Sequence, residues 1–147
     1  MQEIDQMRIQ AKYTLFTVAM WMVAGSAPAL AHHSFAAEFD ANRPVHLDGV
    51  VVMFEWVNPH SWLHIDVTTE DGAVERWRVE GGAPSTLLRR GWNRNSLPAG
   101  TRVTVDGFQA KDGSPRANAR DIVFPDGRRL FLGSTRIGAP YEDEAEE

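Results

Sequence analysis

The sequence predicts an all-β domain interrupted by a single short helix, and three observations carry that expectation. Between residues 44 and 132, apolar and polar residues alternate with period two in short runs rich in Val, Ile, Phe and Trp. Clusters of Gly, Pro, Asn and Asp separate these runs at close intervals. Helical signals are confined to residues 84–90, which fall between the third and fourth runs.

Residues 44–57 (PVHLDGVVVMFEWV) are β-branched and aromatic, and Gly49 within them marks a bend or bulge. Asn58, Pro59 and His60 supply the turn that ends this strand. Residues 61–69 follow as a second strand, with Leu63, Ile65 and Val67 on one face and Trp62, His64 and Asp66 on the other. Glu70, Asp71 and Gly72 form a tight hairpin turn into residues 73–80, where Trp77 and Val79 oppose Arg76 and Arg78. Beyond Gly81 and Gly82, Pro84 suits a first helical turn that residues 85–90 continue. Gly91 fits the left-handed position past a helix end, so Trp92 is expected to fold back onto Leu87. So short a helix holds only when packed against something. Residues 101–110 (TRVTVDGFQA) and 117–124 (ANARDIVF) read as a fourth and a fifth strand, and residues 128–132 as a short sixth.

Three strands, one helix and two further strands is the order of an OB-fold-like Greek-key barrel of five to six strands. A long first strand with a mid-strand glycine suits it, because that strand must bend to serve both sides of the barrel. The helix is expected to plug the barrel bottom with Leu87, Leu88 and Trp92. A β-sandwich would want about seven strands and no helix at this place.

Residues 1–31 read as a cleavable signal peptide. Arg8 and Lys12 give a positive flank, residues 13–25 an apolar run, and Ala29 and Ala31 an A-x-A box. The apolar run is well short of the roughly 20 residues a spanning helix needs, and Pro28 ends any helix there. No stable membrane span is expected after processing, and the protein is expected in the periplasm or outside the cell. Cleavage after Ala31 is preferred, with Ala29 the competing site. Residues 32–44 then form an N-terminal segment, residues 45–134 the barrel, and residues 135–147 an acidic, disordered tail. Glu142, Asp143, Glu144, Glu146 and Glu147 account for the net charge of −5, so the body is neutral. A neutral body on an exported chain does not favour nucleic acid. Cysteine is absent, so no disulfide framework exists.

Several segments together resemble a group of exported bacterial proteins classed as a domain of unknown function. They are the HHSFAAEFD start, EWVNPHSW, LLRRGW, the G-x-x-V-x-V-x-G strand and KDGSPRANAR. The resemblance covers residues 32–134 and implies export and a small β-rich domain, without an established activity. Its pattern matches His32, His33, Asn58, Pro59 and His60; His46 and His64 stand where other residues are common.

Chemistry points to the histidines. If cleavage follows Ala31, His32 becomes the first residue, and its free amine and imidazole can chelate one ion together. Imidazole and amine nitrogen suit Cu(II) especially. His60, on a loop that OB-folds use for binding, is the expected further ligand of such a histidine brace, with His33 adjacent. Glu38, Asp40 or Glu55 could add an oxygen. The competing reading is a metal-free OB-like module that binds an envelope protein or a small ligand. Its surface would lie near His60, Glu55, Asn58 and Trp62 and around residues 111–116. His46 and His64 read as solvated strand residues, His64 with Asp66 as a partner. No catalytic residue stands out: the sequence has no Cys and no G-x-S-x-G, and no carboxylate pair is singled out.

Overall fold

In a computed structural model, residues 35–133 and Pro140 are described. The leader, His32, His33 and the acidic residues of the tail lie outside them. Where the described chain begins, one helical turn, α1 (Phe35–Glu38), runs directly into β1 (Phe39–Glu55). There follow β2 (Trp62–Thr68), β3 (Val74–Glu80), the helix α2 (Pro84–Arg89), β4 (Arg102–Ala110), β5 (Arg116–Val123) and β6 (Arg129–Phe131).

Antiparallel pairing joins β3 to β2, β2 to β1, β1 to β4, β4 to β5 and β5 to β6. A parallel pairing of β3 with β5 closes the first five strands into a ring. The closed ring, with its helix between β3 and β4, is the OB-fold-like barrel that the element order predicts. β1 does bend to serve both sides. Its second half pairs with β2 and its first half with β4, and Gly49 sits at the handover, opposite both Val67 and Val103. The ladder irregularity itself falls just beyond, between Val51 and Met53.

β1 starts at Phe39 rather than at residue 44, and ends at Glu55 rather than 57. Phe39 is fully buried and pairs with Ala110, while a register shift before Pro44 leaves residues 41–43 exposed. That polar stretch reads as loop because its anchor, Phe39, precedes it.

Inside the ring, Leu63, Ile65, Val79, Val105 and Ile122 are completely buried, as alternation requires. Leu87 and Trp92 cap this core at 0% and 1% exposure. The Gly91 turn returns the chain as expected, with Gly91 at φ +83 and the Trp92 N–H donating to the Leu87 carbonyl at 2.9 Å. Leu88, however, is 56% exposed and takes no part in the plug. Successive helical residues point about 100° apart, so a single turn that buries Leu87 turns its neighbour outward.

A second apolar cluster lies outside the barrel wall. Phe35, Phe39 and Ala110 are buried there, with Phe108 and Phe131 packed against them. It holds α1 in place, assisted by the Lys111 N–H, which donates to the Glu38 carbonyl at 2.9 Å.

Candidate functional site

The turn between β1 and β2 is welded at its base to the end of β3. Ser61 is fully buried, and both its N–H and its hydroxyl donate to the Gly82 carbonyl, at 3.0 and 2.9 Å. Gly81 returns its own N–H to the Ser61 carbonyl at 2.9 Å. A Cβ on Gly81 would stand 2.6 Å from the Ser61 hydroxyl, so glycine is what permits this approach. The Asn58–Pro59 bond in the turn is cis. Because His60 precedes Ser61 and Glu80 precedes Gly81, the same latch brings their side chains together. His60 Nδ1 lies 3.4 Å from Glu80 Oε1.

Glu80 occupies an outward position of β3, since Trp77 and Val79 point into the core, yet its side chain is 0% exposed. Burial of a carboxylate is costly unless it is compensated, and the His60 ring stands 3.4 Å from it as an ion-pair contact outside hydrogen-bond geometry. Sequence reading gave Glu80 no role. Its parity with Arg76 and Arg78 assigns it to a solvated face, and nothing in the local pattern signals the turn that folds over it.

The other histidines also meet carboxylates, each more exposed than Glu80, although the His64 ring, at 17% exposure, is not the solvated residue the sequence suggests. His64 Nε2 is 3.3 Å from Glu55 Oε1, whose side chain is 31% exposed. His46 Nδ1 is 2.6 Å from Asp106 Oδ1, at 27% exposure. Glu55 is thus engaged by His64 and, at 3.9 Å, by Arg78, rather than by His60. Asp66 is held by Arg76 through two hydrogen bonds of 2.8 and 3.0 Å and is not the partner expected for His64. The hydrogen-bonded Arg76 guanidinium keeps the Asp66 carboxyl below the usual carboxylate range. Trp62 lies under Arg78, whose guanidinium carbon is 3.9 Å from the ring centre. Asn58 is exposed.

Register ties these residues into one row around the outside of the barrel: Glu55 opposite Trp62, Trp62 opposite Glu80, Glu80 beside Asn118, and Asn118 opposite Phe108. Among the described residues, no three His, Cys, Asp or Glu side chains are grouped to hold a metal ion. Among the same residues, no helix is long and apolar enough to cross a membrane.

A model built on a protein family matches residues 19–119. The chain belongs to a family of unknown function, DUF6152. The DUF6152 match runs from before His32 into β5 and takes in His60, Glu80 and Asn118. It agrees with the resemblance to a domain of unknown function and supplies no activity. No curated protein and no solved structure matches the chain.

Proposed function

We propose that this chain is an exported barrel protein that binds Cu(II) through a histidine brace. The amine and ring of His32 at the processed N-terminus and the ring of His60 are its ligands, with His33 adjacent. One observation carries the reading, and it concerns where the described chain begins. The Phe35 ring packs edge-on against Phe108, with centroids 5.6 Å apart. Phe108 pairs with Asn118, Asn118 with Glu80, and Glu80 faces His60. Neighbouring strands are about 4.8 Å apart, so two strand spacings, about 10 Å, separate the Phe108 position from that of Glu80. His32, outside the described residues, stands three residues before Phe35 in the sequence, and three residues of chain can span at most about 10 Å. Amine and imidazole nitrogens suit Cu(II).

The test uses protein recovered after export, with its intact mass establishing that His32 is first, followed by Cu(II) titration and electron paramagnetic resonance. One extra residue before His32, or His60→Ala, is expected to weaken binding far more than His46→Ala. Equal affinity across these variants would remove the reading.

The alternative is a metal-free module for an envelope protein or small ligand, and a separate observation favours it. The β4–β5 loop comes alongside β3, where the Arg78 N–H donates to the Pro115 carbonyl at 3.0 Å, and the Arg78 guanidinium covers Trp62 at the start of β2. A partner that co-purifies with metal-free protein and is lost in Trp62→Ala would support this reading over the first.

A further inference from the structure

β5 breaks its own alternation at Arg120. Ala117, Ala119 and Ile122 belong to the core, so Arg120 and Asp121, neighbours in sequence, both stand outward. A regular strand turns successive side chains to opposite faces; the register shift beside Asp106 and Gly107 supplies the extra residue. Gly107 lets the two strands close at this step, since a Cβ there would meet the Asn118 carbonyl at 2.3 Å. Bulges of this kind often re-aim side chains beside active sites. Here Arg120 and Asp121 line an outer groove of about 360 Å³ together with His46, Asp106, Phe108 and Arg129. Across the β1–β4 pairing, His46 Nδ1 lies 2.6 Å from Asp106 Oδ1, in a hydrogen bond. An ionised carboxylate only accepts, so Nδ1 is the donor and the neutral ring keeps its lone pair on Nε2. The His46 side chain is 68% exposed, which leaves Nε2 to a molecule from solution.

Beyond Asp106, Arg129 donates from Nη1 to Asp121 Oδ2 at 2.9 Å and brings Nη2 to 3.5 Å from Asp106 Oδ2. Asp121 Oδ2 also lies 3.6 Å from Arg120 Nε. Asp48, two residues along β1 from His46, accepts the Thr104 hydroxyl instead. The two carboxylates and two guanidiniums that share the groove with His46 therefore cancel in charge. A proton on His46 would leave one positive charge, which one monoanion matches. Arg129 carries five N–H donors and is largely exposed, so it keeps donors for that anion. We propose that this groove binds a small organic acid as a carboxylate and a proton, with Nε2 of His46 taking the proton and the Arg129 guanidinium pairing with the carboxylate. Guanidinium and carboxylate match in geometry. Phe108 gives the groove an aromatic wall suited to an apolar remainder on the acid. A dianion such as phosphate would leave one negative charge unmatched. The site takes no residue from the copper reading and stands without it.

Ring-nitrogen NMR on the metal-free full chain, with sodium benzoate added at constant ionic strength, reads both parts of the proposal. Before addition, with the imidazoles neutral, His46 is expected as Nδ1–H, and Asp106→Leu, which removes the acceptor, should lose that preference. Benzoate should then convert the His46 ring to imidazolium along a saturating curve. His64 should stay as it was, and benzamide, the uncharged analogue, should leave His46 unchanged. Arg129→Gln is expected to weaken benzoate binding by about tenfold or more, as loss of a hydrogen bond to a charged group does. Should Arg129→Gln not fold, Arg129→Lys, which keeps the charge without the fork, is expected to weaken binding by less. Wild-type His46 in the Nε2–H form would overturn the proposal. So would a His46 response that never saturates, that benzamide reproduces, or that keeps full affinity in the Arg129 variants. Phosphate bound as tightly as benzoate would overturn the choice of a carboxylate.

Discussion

Gly81 is where a single residue has the most leverage over the candidate site. It is buried between Ser61 and Leu132, and a methyl group there would stand 2.6 Å from the Ser61 hydroxyl and 3.0 Å from Leu132 Cγ. The hydroxyl is itself committed to the Gly82 carbonyl, so it cannot swing aside without giving up that bond. Gly81→Ala is expected to cost about 1–3 kcal/mol, as overpacking of a tight site does. Urea denaturation would read it as a lower midpoint at unchanged slope. The His60 ring should also shift in NMR, because its backbone is tied to the same latch. A variant as stable as the parent would show that the approach of Gly81 to Ser61 is looser than its geometry requires. In sequence, Gly81 and Gly82 read only as turn chemistry. Their demand for closeness comes from a residue twenty positions away, which no local pattern carries.

At the scale of elements, the hairpin β2–β3 presents one face to the core and one to solvent, and the solvent face is stitched by charge. Asp66 and Arg76 stand opposite each other in register, hydrogen-bonded at both carboxylate oxygens. The guanidinium holds the Asp66 carboxyl below its ordinary value, and the same contact holds Arg76 protonated to higher pH. A depressed carboxyl adds stability above the unfolded-state pKa of about 3.9, and that stability is lost as pH falls through the lower folded-state value. Asp66→Asn should therefore be somewhat less stable than the parent near neutrality, by a small amount because the pair is exposed. The difference should close in acid below both values; a gap of constant size across that range would show that Arg76 is not its source. Alternation made this hairpin legible from sequence, including the inward Trp77 and Val79. β1 was less so, since residues 40–43 carry no apolar alternation and lie in the register shift between the Phe39–Ala110 and Pro44–Phe108 pairs.

For the whole molecule, ligand binding and stability are linked. An ion that binds the folded chain alone stabilises it by about 2.7 kcal/mol at a free concentration a hundred times Kd. For a domain of this size each kcal/mol moves Tm by about 4–8 °C, so a rise of roughly 10 °C or more is expected for processed protein with Cu(II). The same ion should leave a chain with one residue added before His32 nearly unmoved. Equal shifts in both would point to copper held away from the N-terminus. The barrel also has an external apolar cluster, in which Phe35 and Phe39 seat α1 against Phe108 and Phe131. The start of the described chain is thus fastened to the outer wall near the β4–β5 loop. No sequence signal placed it there, because Phe35 and Phe108 are far apart in the chain and neither belongs to the inward stripe of a strand.

Composition, period-two alternation and the Gly and Pro punctuation were enough to determine an all-β barrel with a helix between its third and fourth strands, the order of its strands and most inward-facing residues, but not the helical turn at Phe35–Glu38. These are local properties, repeated along each strand, and they survive without knowledge of what lies opposite. Folding alone decided that Leu88 faces solvent and that Glu55 belongs to His64 and Arg78. It also decided that Glu80, outward by parity, is nonetheless buried beside His60. Each of those outcomes depends on closing the ring through β3 and β5 and on latching Ser61 to Gly81. Burial of an outward residue is a property of whatever the closed barrel lays over it, and that is set between distant segments.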